Sequence, residues 1–190
     1  VRWGAPVNVV FLLEEPSMKA FLTGLLPRIL PANVTFQLVA HEGKSDLEKS
    51  VPRKLRGWKT PDTCFVVVRD QDSGDCQTIK DRLVTSCAEA GRPDSLVRIA
   101  CRELESWFLG DLATVEQVFG VPGLGKRQEK TKFRSPDKLG NPSRELESLV
   151  PGYRKVGGAR ALGPALALEA NRSHSFGVFV SGVRAMAGSP

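Results

Sequence analysis

Short apolar runs alternate with longer segments of helical spacing over roughly the first 110 residues, and this alternation constrains the fold most strongly. Four runs rich in Val, Ile, Leu and Phe predict strands at residues 7–13, 34–40, 64–68 and 95–101. Between these runs, apolar residues recur every three or four positions, which is typical of amphipathic helices. Because right-handed crossovers join parallel strands, this order predicts an α/β fold with a mostly parallel sheet of about four strands, flanked by helices.

The segments between the predicted strands carry signals for where helices begin and end. A first helix is expected to begin near Ser17 and to bend or end at Pro27. A second is expected over residues 45–58, interrupted by Pro52, and Asp75 is expected to cap a third. These three helices would form the crossovers between the four strands.

After Glu103 the alternation stops and the pattern changes. A short helix capped by Asp111 is expected to end near residue 119. Residues 120–142 are rich in Gly, Pro, Lys and Arg and have no apolar period, which predicts a long, mobile loop. Further helices are predicted at residues 143–150, about 157–169 and about 173–186.

The 190 residues are therefore expected to form a single domain with three parts, large enough to bury a full core. An α/β core occupies residues 1–119, and the basic loop occupies residues 120–142. A helical C-terminal extension, packed on the core, occupies residues 143–190.

The overall charge is compatible with a polyanionic partner such as nucleic acid. The chain has 27 Lys and Arg residues against 21 Asp and Glu residues, a formal net charge of +6. The first apolar run is too short to span a membrane, so no membrane association is expected.

Cysteine usage indicates a reducing compartment. Four cysteines occur in the chain, none with CxxC spacing: Cys64, Cys76, Cys87 and Cys101. Only His41 and His174 could add imidazole ligands, so a zinc site is disfavoured. We interpret the cysteines as reduced thiols, which predicts a cytoplasmic location.

Acidic residues follow three of the four predicted strands. In parallel α/β sheets, ligands bind at the carboxyl ends of the strands. Carboxylates brought together at this edge repel one another unless a hard cation lies among them, and Mg²⁺ or Mn²⁺ suits such a site. The acids at the strand ends are Glu14 and Glu15, then Asp70 and Asp72, then Glu103 and Glu105.

Asp70 and Asp72 are the strongest candidates for metal ligands. They are two residues apart, and in extended backbone such residues point to the same side, so both could address one ion. The alternative is turn and helix-cap chemistry, since Asp72-Ser73-Gly74-Asp75 would make a good turn into a helix.

Glu14 and Glu105 complete a predicted catalytic set of four acids. Glu14 ends a buried strand and is a candidate general base or further metal ligand, whereas Glu15 suits the positive end of the following helix. Glu105 lies two residues before Trp107, and its alternative interpretation is an exposed helix residue. We interpret Trp107 as a core residue rather than a base-stacking platform.

Lys44 and a basic cluster are candidates for contact with nucleic acid. Lys44 lies in a Gly-Lys-Ser segment at the end of the second predicted strand, where it could reach a phosphate; the alternative is a polar loop with a helix cap. The segment is not a Walker A loop, because Leu38 stands where the first Gly belongs. Cationic side chains in the loop would bind phosphates regardless of sequence, the alternative being ordinary solvated surface. The loop cluster consists of Lys126, Arg127, Lys130, Lys132 and Arg134.

A hydrophobic strand ending in Glu, a helix, and a later strand ending in Asp-x-Asp resemble the Toprim fold family. That family includes topoisomerase, primase and OLD-type nuclease domains. The resemblance implies that Glu14 acts in acid–base chemistry or supports a metal, and that Asp70 and Asp72 hold Mg²⁺. The glycine and the second acid of the family's Glu motif are replaced here by Glu15 and Met18.

The chain is also similar to small bacterial Toprim-like proteins that share a domain of unknown function. The similarity covers most of the chain and rests on the segments FLLEEPSM, HEGKSDL, RDQDSGDC, CRELESWFLGD and YRKVGGARALGP…NRSHSF. Members look like partners of ATPases in phage-defence or mobile-element settings. The resemblance therefore implies an ATPase as a possible protein partner.

These observations favour a Mg²⁺- or Mn²⁺-dependent nuclease, with DNA preferred over RNA as the substrate. The alternative is a non-catalytic subunit that docks on an ATPase or a toxin. A doubly wound domain that binds a small nucleotide is a weaker third interpretation, because no glycine-rich loop follows the first strand.

Overall fold

The computed structural model describes residues 8–188, and its centre is a four-stranded parallel sheet. The strands are β1 (Asn8–Leu13), β2 (Thr35–Ala40), β3 (Thr63–Asp70) and β4 (Leu96–Ala100). Their order across the sheet is β2-β1-β3-β4, and every neighbouring pair is parallel. The predicted α/β fold is thereby confirmed. Val7, the first residue of the first predicted run, lies outside the described residues.

Three helices connect the strands and cover both faces of the sheet. They are α1 (Pro16–Leu25), α2 (Lys44–Gly57) and α3 (Cys76–Glu89). The buried side of α1 packs in one hydrophobic core, and those of α2 and α3 pack in another. This division follows from right-handed crossovers, because the chain moves outward from β1 to β2 and then back across β1 to β3.

Six further α-helices follow the sheet within residues 8–188. They are α4 (Glu105–Leu109), α5 (Leu112–Phe119), α6 (Leu124–Arg127), α7 (Pro142–Leu149), α8 (Lys155–Leu162) and α9 (His174–Met186). Side chains from α4, α5, α8 and α9 join the core on the α1 side of the sheet. Within the described part of the chain, no helix is long and apolar enough to cross a membrane.

Aromatic rings hold the core on the α1 side together. Phe21 from α1 lies 5.9 Å from Trp107 and 5.1 Å from Phe108, measured between ring centroids. Phe179 from α9 also lies 5.1 Å from Trp107. Trp107 is fully buried, which confirms its interpretation as a core residue.

Most of the predicted helix signals act as expected. The Asp75 carboxylate accepts a hydrogen bond from the Thr78 amide at 2.8 Å and so caps α3. Pro27 lies in a 3₁₀ turn, Leu26–Arg28, that directly follows α1. Pro52 does not interrupt α2, because the helix continues through it to Gly57.

The segment 120–142 is more regular than the sequence indicates. Besides α6 it contains two 3₁₀ turns, Thr131–Phe133 and Pro136–Lys138. The buried amide of Gln128 accepts a hydrogen bond from the Leu112 amide at 2.7 Å and donates one to the Phe133 carbonyl at 2.9 Å. Single side-chain hydrogen bonds of this kind produce no periodic pattern in the sequence, so they cannot be predicted from periodicity.

Candidate active site

The candidate site lies between the carboxyl ends of β1 and β3. These strands are neighbours, but α1 leaves β1 toward one face of the sheet and α3 leaves β3 toward the other. Such a divergence opens a crevice where ligands bind in doubly wound folds. Glu14 follows β1 directly, and Asp70 is the last residue of β3, so both acids flank the crevice.

Glu14 is held by groups from β3. Its Oε2 atom accepts a hydrogen bond from the Asp70 amide at 3.0 Å and lies 3.7 Å from Nε of Arg69. Burial raises the pKa of Glu14; the Asp70 amide lowers it, and the charge of Asp72 raises it again. The Glu14 carboxylate is therefore fixed by the fold in a position close to the crevice.

Arg69 is a buried cation that the sequence did not single out. Only 4% of the residue is exposed. Its Nη1 atom donates to Oε1 of Glu48 in α2 at 2.7 Å. Arg69 alternates with Asp70 along β3 and lies on the α2 side, so it holds Glu14 toward that side of the sheet.

Asp70 points to the opposite side, toward α1 and α4. It shares its face of β3 with Val66 and Val68, which belong to the core on the α1 side. Among the described residues, its Oδ1 atom has no hydrogen-bond partner. Burial raises the pKa of Asp70 well above its ordinary value, and the negative charges of Glu14, Glu15 and Glu105 add to the effect. A buried carboxyl among other acids is stable only if it binds a proton or lies beside a cation.

Glu105 is fully buried beside Asp70, so its interpretation as an exposed helix residue is wrong. Its Oε1 atom lies 3.4 Å from the Tyr153 hydroxyl, which donates to it. No group in the described part of the chain bonds to its Oε2 atom. Burial raises the pKa of Glu105 to about 7, although the charge of Lys155 opposes the shift.

Asp72 differs from the arrangement expected from its sequence spacing. The strand ends at Asp70, and Asp72 has a left-handed backbone with φ of +54°. Residues two positions apart point to the same side only in extended backbone. Because Asp72 lies in a turn, its spacing from Asp70 no longer places the two side chains on the same side. The expected turn chemistry is present, because the Gly74 amide donates to the Gln71 carbonyl at 3.2 Å.

Lys44 and Asp72 form an ion pair across the end of β1. The Lys44 Nζ atom donates to Oδ2 of Asp72 at 2.9 Å. Lys44 begins α2 after β2, and Asp72 follows β3, while β1 lies between these two strands. The pair therefore spans the strand end that carries Glu14, with the Lys44 side chain half exposed.

The loop that carries Lys44 is fastened to β1. The amide and the Nδ1 atom of His41 lie 3.0 Å and 2.8 Å from the Leu13 carbonyl oxygen. The Gly43 amide donates to the Glu14 carbonyl at 2.9 Å, with Gly43 at φ of +98°. These contacts fix the start of α2 relative to Glu14.

Lys155 and Tyr153 are site residues whose roles the sequence did not reveal. Burial lowers the pKa of Lys155, but the charges of Glu105, Glu15 and other acids of the edge raise it overall. Lys155 therefore lies near enough to the acids around Asp70 for their charges to act on it. The only sequence signal was the late YRKVGG segment, to which no function could be assigned.

Close packing of α8 on α1 places Lys155 at this edge. A Cβ on Gly163 would lie 2.3 Å from the Phe21 carbonyl oxygen, and one on Gly24 would lie 2.6 Å from Pro164. The C-terminal end of α8 thus contacts the C-terminal part of α1, and the N-terminal end of α8 lies near Glu15. The two helices run parallel, and their positive ends both point to the acidic edge.

A groove leads from Asp72 toward the segment 120–142. It has a volume of about 180 Å³ and is lined by Asp72, Ser73, Arg102, Glu103, Gly140 and Asn141. A second groove of about 340 Å³ shares Gly140 and Asn141 and is lined further by Lys132 and Arg144, among others. The two grooves thus adjoin at Gly140 and Asn141, and three cationic side chains line them, namely Arg102, Lys132 and Arg144.

The predicted basic cluster meets these grooves at one residue, Lys132. Its Nζ atom lies 2.6 Å from Oε2 of Glu145. Arg134 donates to the Glu129 carbonyl at 3.0 Å, and Lys126 and Arg127 lie in α6. Neither groove is lined by Lys126, Arg127, Lys130 or Arg134.

The acids of the edge suit a hard cation chemically but do not form a finished metal site. Across residues 8–188, no group of three or more His, Cys, Asp or Glu side chains stands in a metal-binding arrangement. The reason is geometric, because Glu14 is held toward α2, Asp70 faces α1, and Asp72 is paired with Lys44. The unpaired oxygen atoms of Asp70 and Glu105 are nevertheless hard donors of the kind that Mg²⁺ and Mn²⁺ prefer.

Comparison with known proteins gives a family without an assigned activity. No curated protein and no solved structure matches the chain. A family model described as a domain of unknown function, DUF4276, matches residues 13–184, a range that includes every acid of the edge as well as Lys44 and Lys155. The chain therefore belongs to the DUF4276 family.

Proposed function

We propose that this chain is a Toprim-like enzyme that hydrolyses phosphodiester bonds of nucleic acid, preferably DNA, with Mg²⁺ or Mn²⁺. The observation that carries the proposal is the pair of buried carboxyls, Asp70 and Glu105. Each has an oxygen atom without a partner in the described structure, and the charges of both act on Lys155. Carboxylates in structural ion pairs normally have hydrogen-bond partners for their buried oxygen atoms. Buried oxygen atoms without a partner are instead typical of a site that binds a ligand.

Asp70, Glu14 and Asp72 are the residues that would hold the metal. When bound there, Mg²⁺ or Mn²⁺ would polarise the scissile phosphate and stabilise the leaving oxygen. Asp70 contributes the unpaired Oδ1 atom, and Glu14 is kept close by its bond to the Asp70 amide. Asp72 joins them only when its carboxylate leaves Lys44.

Glu105 is the best placed general base. Its free Oε2 atom can accept the proton of an attacking water, while the Tyr153 hydroxyl holds Oε1. A pKa of about 7 is also suitable for proton transfer near neutral pH. Lys155 would balance the charge of the phosphate oxygens at the same edge.

The two connected grooves offer a path for the nucleic acid backbone. Arg102, Lys132 and Arg144 line them, and each can neutralise a phosphate without reading sequence. Lys44 lies at the start of this path, beside Asp72. The other cations predicted from sequence would contact the backbone beyond the grooves; they are Lys126, Arg127, Lys130 and Arg134.

A plasmid and a labelled single-stranded oligonucleotide, incubated with Mg²⁺ or Mn²⁺, test the activity. We expect nicking or degradation by the wild type and a loss of at least about 100-fold in Asp70→Asn and Glu105→Gln, the range for removing a catalytic acid. Glu89→Gln is the matched control, because Glu89 is an exposed acid at the far end of α3. Equal cleavage by the wild type and Asp70→Asn would sink the proposal.

A non-catalytic subunit that docks on an ATPase or toxin is the second candidate. It is favoured by the Lys44–Asp72 ion pair and by the lack of a finished metal cluster in the described residues. Binding of Mn²⁺, followed by electron paramagnetic resonance, separates the two functions. An enzyme binds the ion and loses it in Asp70→Asn, whereas a docking subunit binds none and is unaffected by that change.

A further inference from the structure

A cavity of about 760 Å³ lies beside β4, the outermost strand on one side of the sheet, and the first part of α9. Its volume is within the range of about 300–1,000 Å³ that is usual for small-molecule sites. The segment 171–174, which begins the NRSHSF motif, forms part of its lining, and the proposed nuclease site gives this segment no role. The other lining residues are Arg98 of β4 and Gly177, Val178, Ser181 and Gly182 of α9.

The lining of this cavity is cationic. Arg98, Arg172 and His174 contribute to it, and none of the described residues that line it is acidic. Arg172 is held in place by the Gln128 carbonyl, to which its Nη1 atom donates at 3.2 Å, and by an ion pair with the exposed Glu129. Positive charge that lines a concave surface without acids raises the local concentration of anions.

Arg98 is the half-buried cation of this lining. Its Nε atom donates to the Val178 carbonyl at 3.2 Å, and its Nη1 atom donates to the Val97 carbonyl at 2.9 Å. Both partners are neutral. Burial lowers the pKa of Arg98, and no acid of the described residues offsets this effect. Because charges taken out of water are normally paired, a half-buried guanidinium with neutral partners is suited to an anionic ligand.

Gly182 makes room for the head of the Arg98 side chain. A Cβ at Gly182 would lie 2.3 Å from Nη2 of Arg98, so the guanidinium lies against the bare backbone of α9. Two of its nitrogen atoms are held by carbonyls, which leaves Nη2 as the donor available to a ligand within the described structure. Gly177 also lines the cavity, and a Cβ there would meet no described atom within 4 Å.

The acid at the start of α9 does not belong to the cavity. The Oδ1 atom of Asp137 accepts a hydrogen bond from the Ser173 hydroxyl at 2.6 Å, and its Oδ2 atom accepts one from the Ser175 amide at 2.7 Å. Asp137 thus already provides the negative charge that the start of a helix favours. The attraction of the cavity for an anion therefore depends on its side chains rather than on the helix terminus.

We propose that this cavity binds the phosphate group of a small ligand, either free phosphate or a phosphate monoester of nucleotide size. Arg98 and Arg172 supply the charge, and a guanidinium presents paired donors that match phosphate oxygen atoms. The Ser181 hydroxyl and the His174 imidazole add further polar groups. No Phe, Tyr or Trp of the described residues lines the cavity, so the ligand is recognised by its phosphate rather than by a stacked base.

This site is separate from the crevice between β1 and β3. Its cationic residues lie in β4 and in the segment before α9, whereas the acids of the candidate active site follow β1 and β3. The inference therefore does not depend on nuclease activity, and it can be tested without divalent metal.

Isothermal titration calorimetry of the full chain with adenosine 5′-monophosphate, inorganic phosphate and adenosine tests the proposal. Buffer with EDTA removes divalent metal, so the acids of the edge cannot hold phosphate through an ion. We expect the nucleotide to bind and adenosine to bind at least about 10-fold more weakly, because the charged contacts are lost. Equal affinity for the nucleotide and inorganic phosphate identifies free phosphate as sufficient, whereas tighter binding of the nucleotide identifies the ester. Equal affinity for the nucleotide and adenosine would overturn the proposal, as would the absence of binding by both phosphate probes.

Variants of the lining locate the bound phosphate. Arg98→Met should weaken binding of the phosphate probe by about 10–100-fold, the range for losing a charged hydrogen bond. Arg56→Met is the matched control, because Arg56 is an exposed arginine of α2 outside the cavity, and Asp70→Asn should also bind normally. Ser181→Glu keeps Arg98 and adds a carboxylate to the lining, so it should weaken binding even if Arg98→Met fails to fold. Unchanged affinity in Ser181→Glu would contradict the assignment.

A competition experiment distinguishes a small ligand from nucleic acid. An oligonucleotide that lacks terminal phosphates is added to the chain and the nucleotide, again with EDTA. It should leave the affinity for the nucleotide within about twofold of the original value. Displacement of the nucleotide by the oligonucleotide at a similar concentration would assign the cavity to the nucleic-acid backbone and overturn the proposal.

Discussion

The backbone amide of Asp70 donates a hydrogen bond to Oε2 of Glu14 at 3.0 Å. The Glu14 side chain is thus hydrogen-bonded to the backbone of β3, the strand that carries Asp70. Arg69, which precedes Asp70, adds its charge to the same Glu14 oxygen at 3.7 Å. Glu14 therefore has a structural role in addition to its proposed role in metal binding.

This structural role predicts that removing the Glu14 carboxylate lowers the stability of the fold. Glu14→Ala leaves the buried Asp70 amide without its acceptor and removes one of the two carboxylates beside the Arg69 guanidinium, and we expect a loss of about 2–4 kcal/mol in the free energy of unfolding. Glu14→Gln keeps an acceptor oxygen and should lose less. Urea unfolding measures both, with Glu15→Ala as the control. Equal losses at Glu14 and Glu15 would contradict the assignment.

The buried Glu105 predicts how stability depends on pH. Its pKa rises from the ordinary 4.5 to about 7, so the folded chain binds this proton more tightly than the unfolded chain does. That contribution is complete below about pH 4.5 and is lost as the pH rises to about 7. The wild type should therefore be less stable at pH 8 than at pH 5, with Asp70 acting in the same direction.

Glu105→Gln isolates the share of Glu105 in this effect. Glutamine does not titrate, so the difference in unfolding free energy between pH 5 and pH 8 should shrink by on the order of 1–3 kcal/mol. Urea unfolding at the two pH values provides the measurement, with exposed Glu89→Gln as the control. A variant that keeps the full wild-type difference would show that Glu105 titrates normally.

The Lys44–Asp72 pair is expected to matter more for binding than for stability. Both side chains are partly exposed, so Lys44→Met should change the unfolding free energy by less than about 1 kcal/mol. If Lys44 contacts a phosphate, the slope of log affinity for DNA against log salt concentration should fall by about 1. Lys59→Met is the control, since Lys59 precedes β3 at the opposite edge. An unchanged slope would mean that Lys44 only holds Asp72.

The packing of α8 on α1 predicts strong sensitivity at one glycine. A methyl group on Gly163 would overlap the Phe21 carbonyl oxygen, so Gly163→Ala should destabilise the fold by about 1–3 kcal/mol. It should also weaken Mn²⁺ and DNA binding by displacing Lys155. In α9, a Cβ on Gly177 would meet no described atom within 4 Å, so Gly177→Ala should be neutral or stabilising. Thermal melting compares the two, and a neutral Gly163→Ala would refute the close contact.

The sequence predicted the sheet and the positions of the acids because both depend on local patterns. Continuous apolar runs mark parallel strands, and the residue that follows each run must lie at the carboxyl edge. The direction in which each acid points could not be predicted in the same way. The left-handed backbone of Asp72 arises in a turn that is tied to the Arg102 carbonyl, and this contact is not encoded near Asp72.

Long-range contacts account for the remaining differences. Glu105 meets Tyr153 across 48 residues, and Gln128 anchors its segment through single hydrogen bonds. Neither kind of contact leaves a repeating signal, so the sequence left open whether Glu105 is a catalytic or an exposed helix residue, and segment 120–142 looked irregular. The YRKVGG segment was noted for its similarity alone, and its place beside the acids became clear only from the packing of α8 on α1.

The parallel packing of α8 on α1 also has a consequence for how the site is made in time. A ribosome synthesises Asp70 and Glu105 before Lys155, so a nascent chain can complete its sheet while these two acids still lack the nearby charge of Lys155. The charge of Lys155 reaches the edge only when α8 docks, after residues 155–162 have been made. The proposed binding of Mn²⁺ or DNA would therefore require α8, and a ribosome-bound fragment that ends before α8 should fold its sheet but bind neither well.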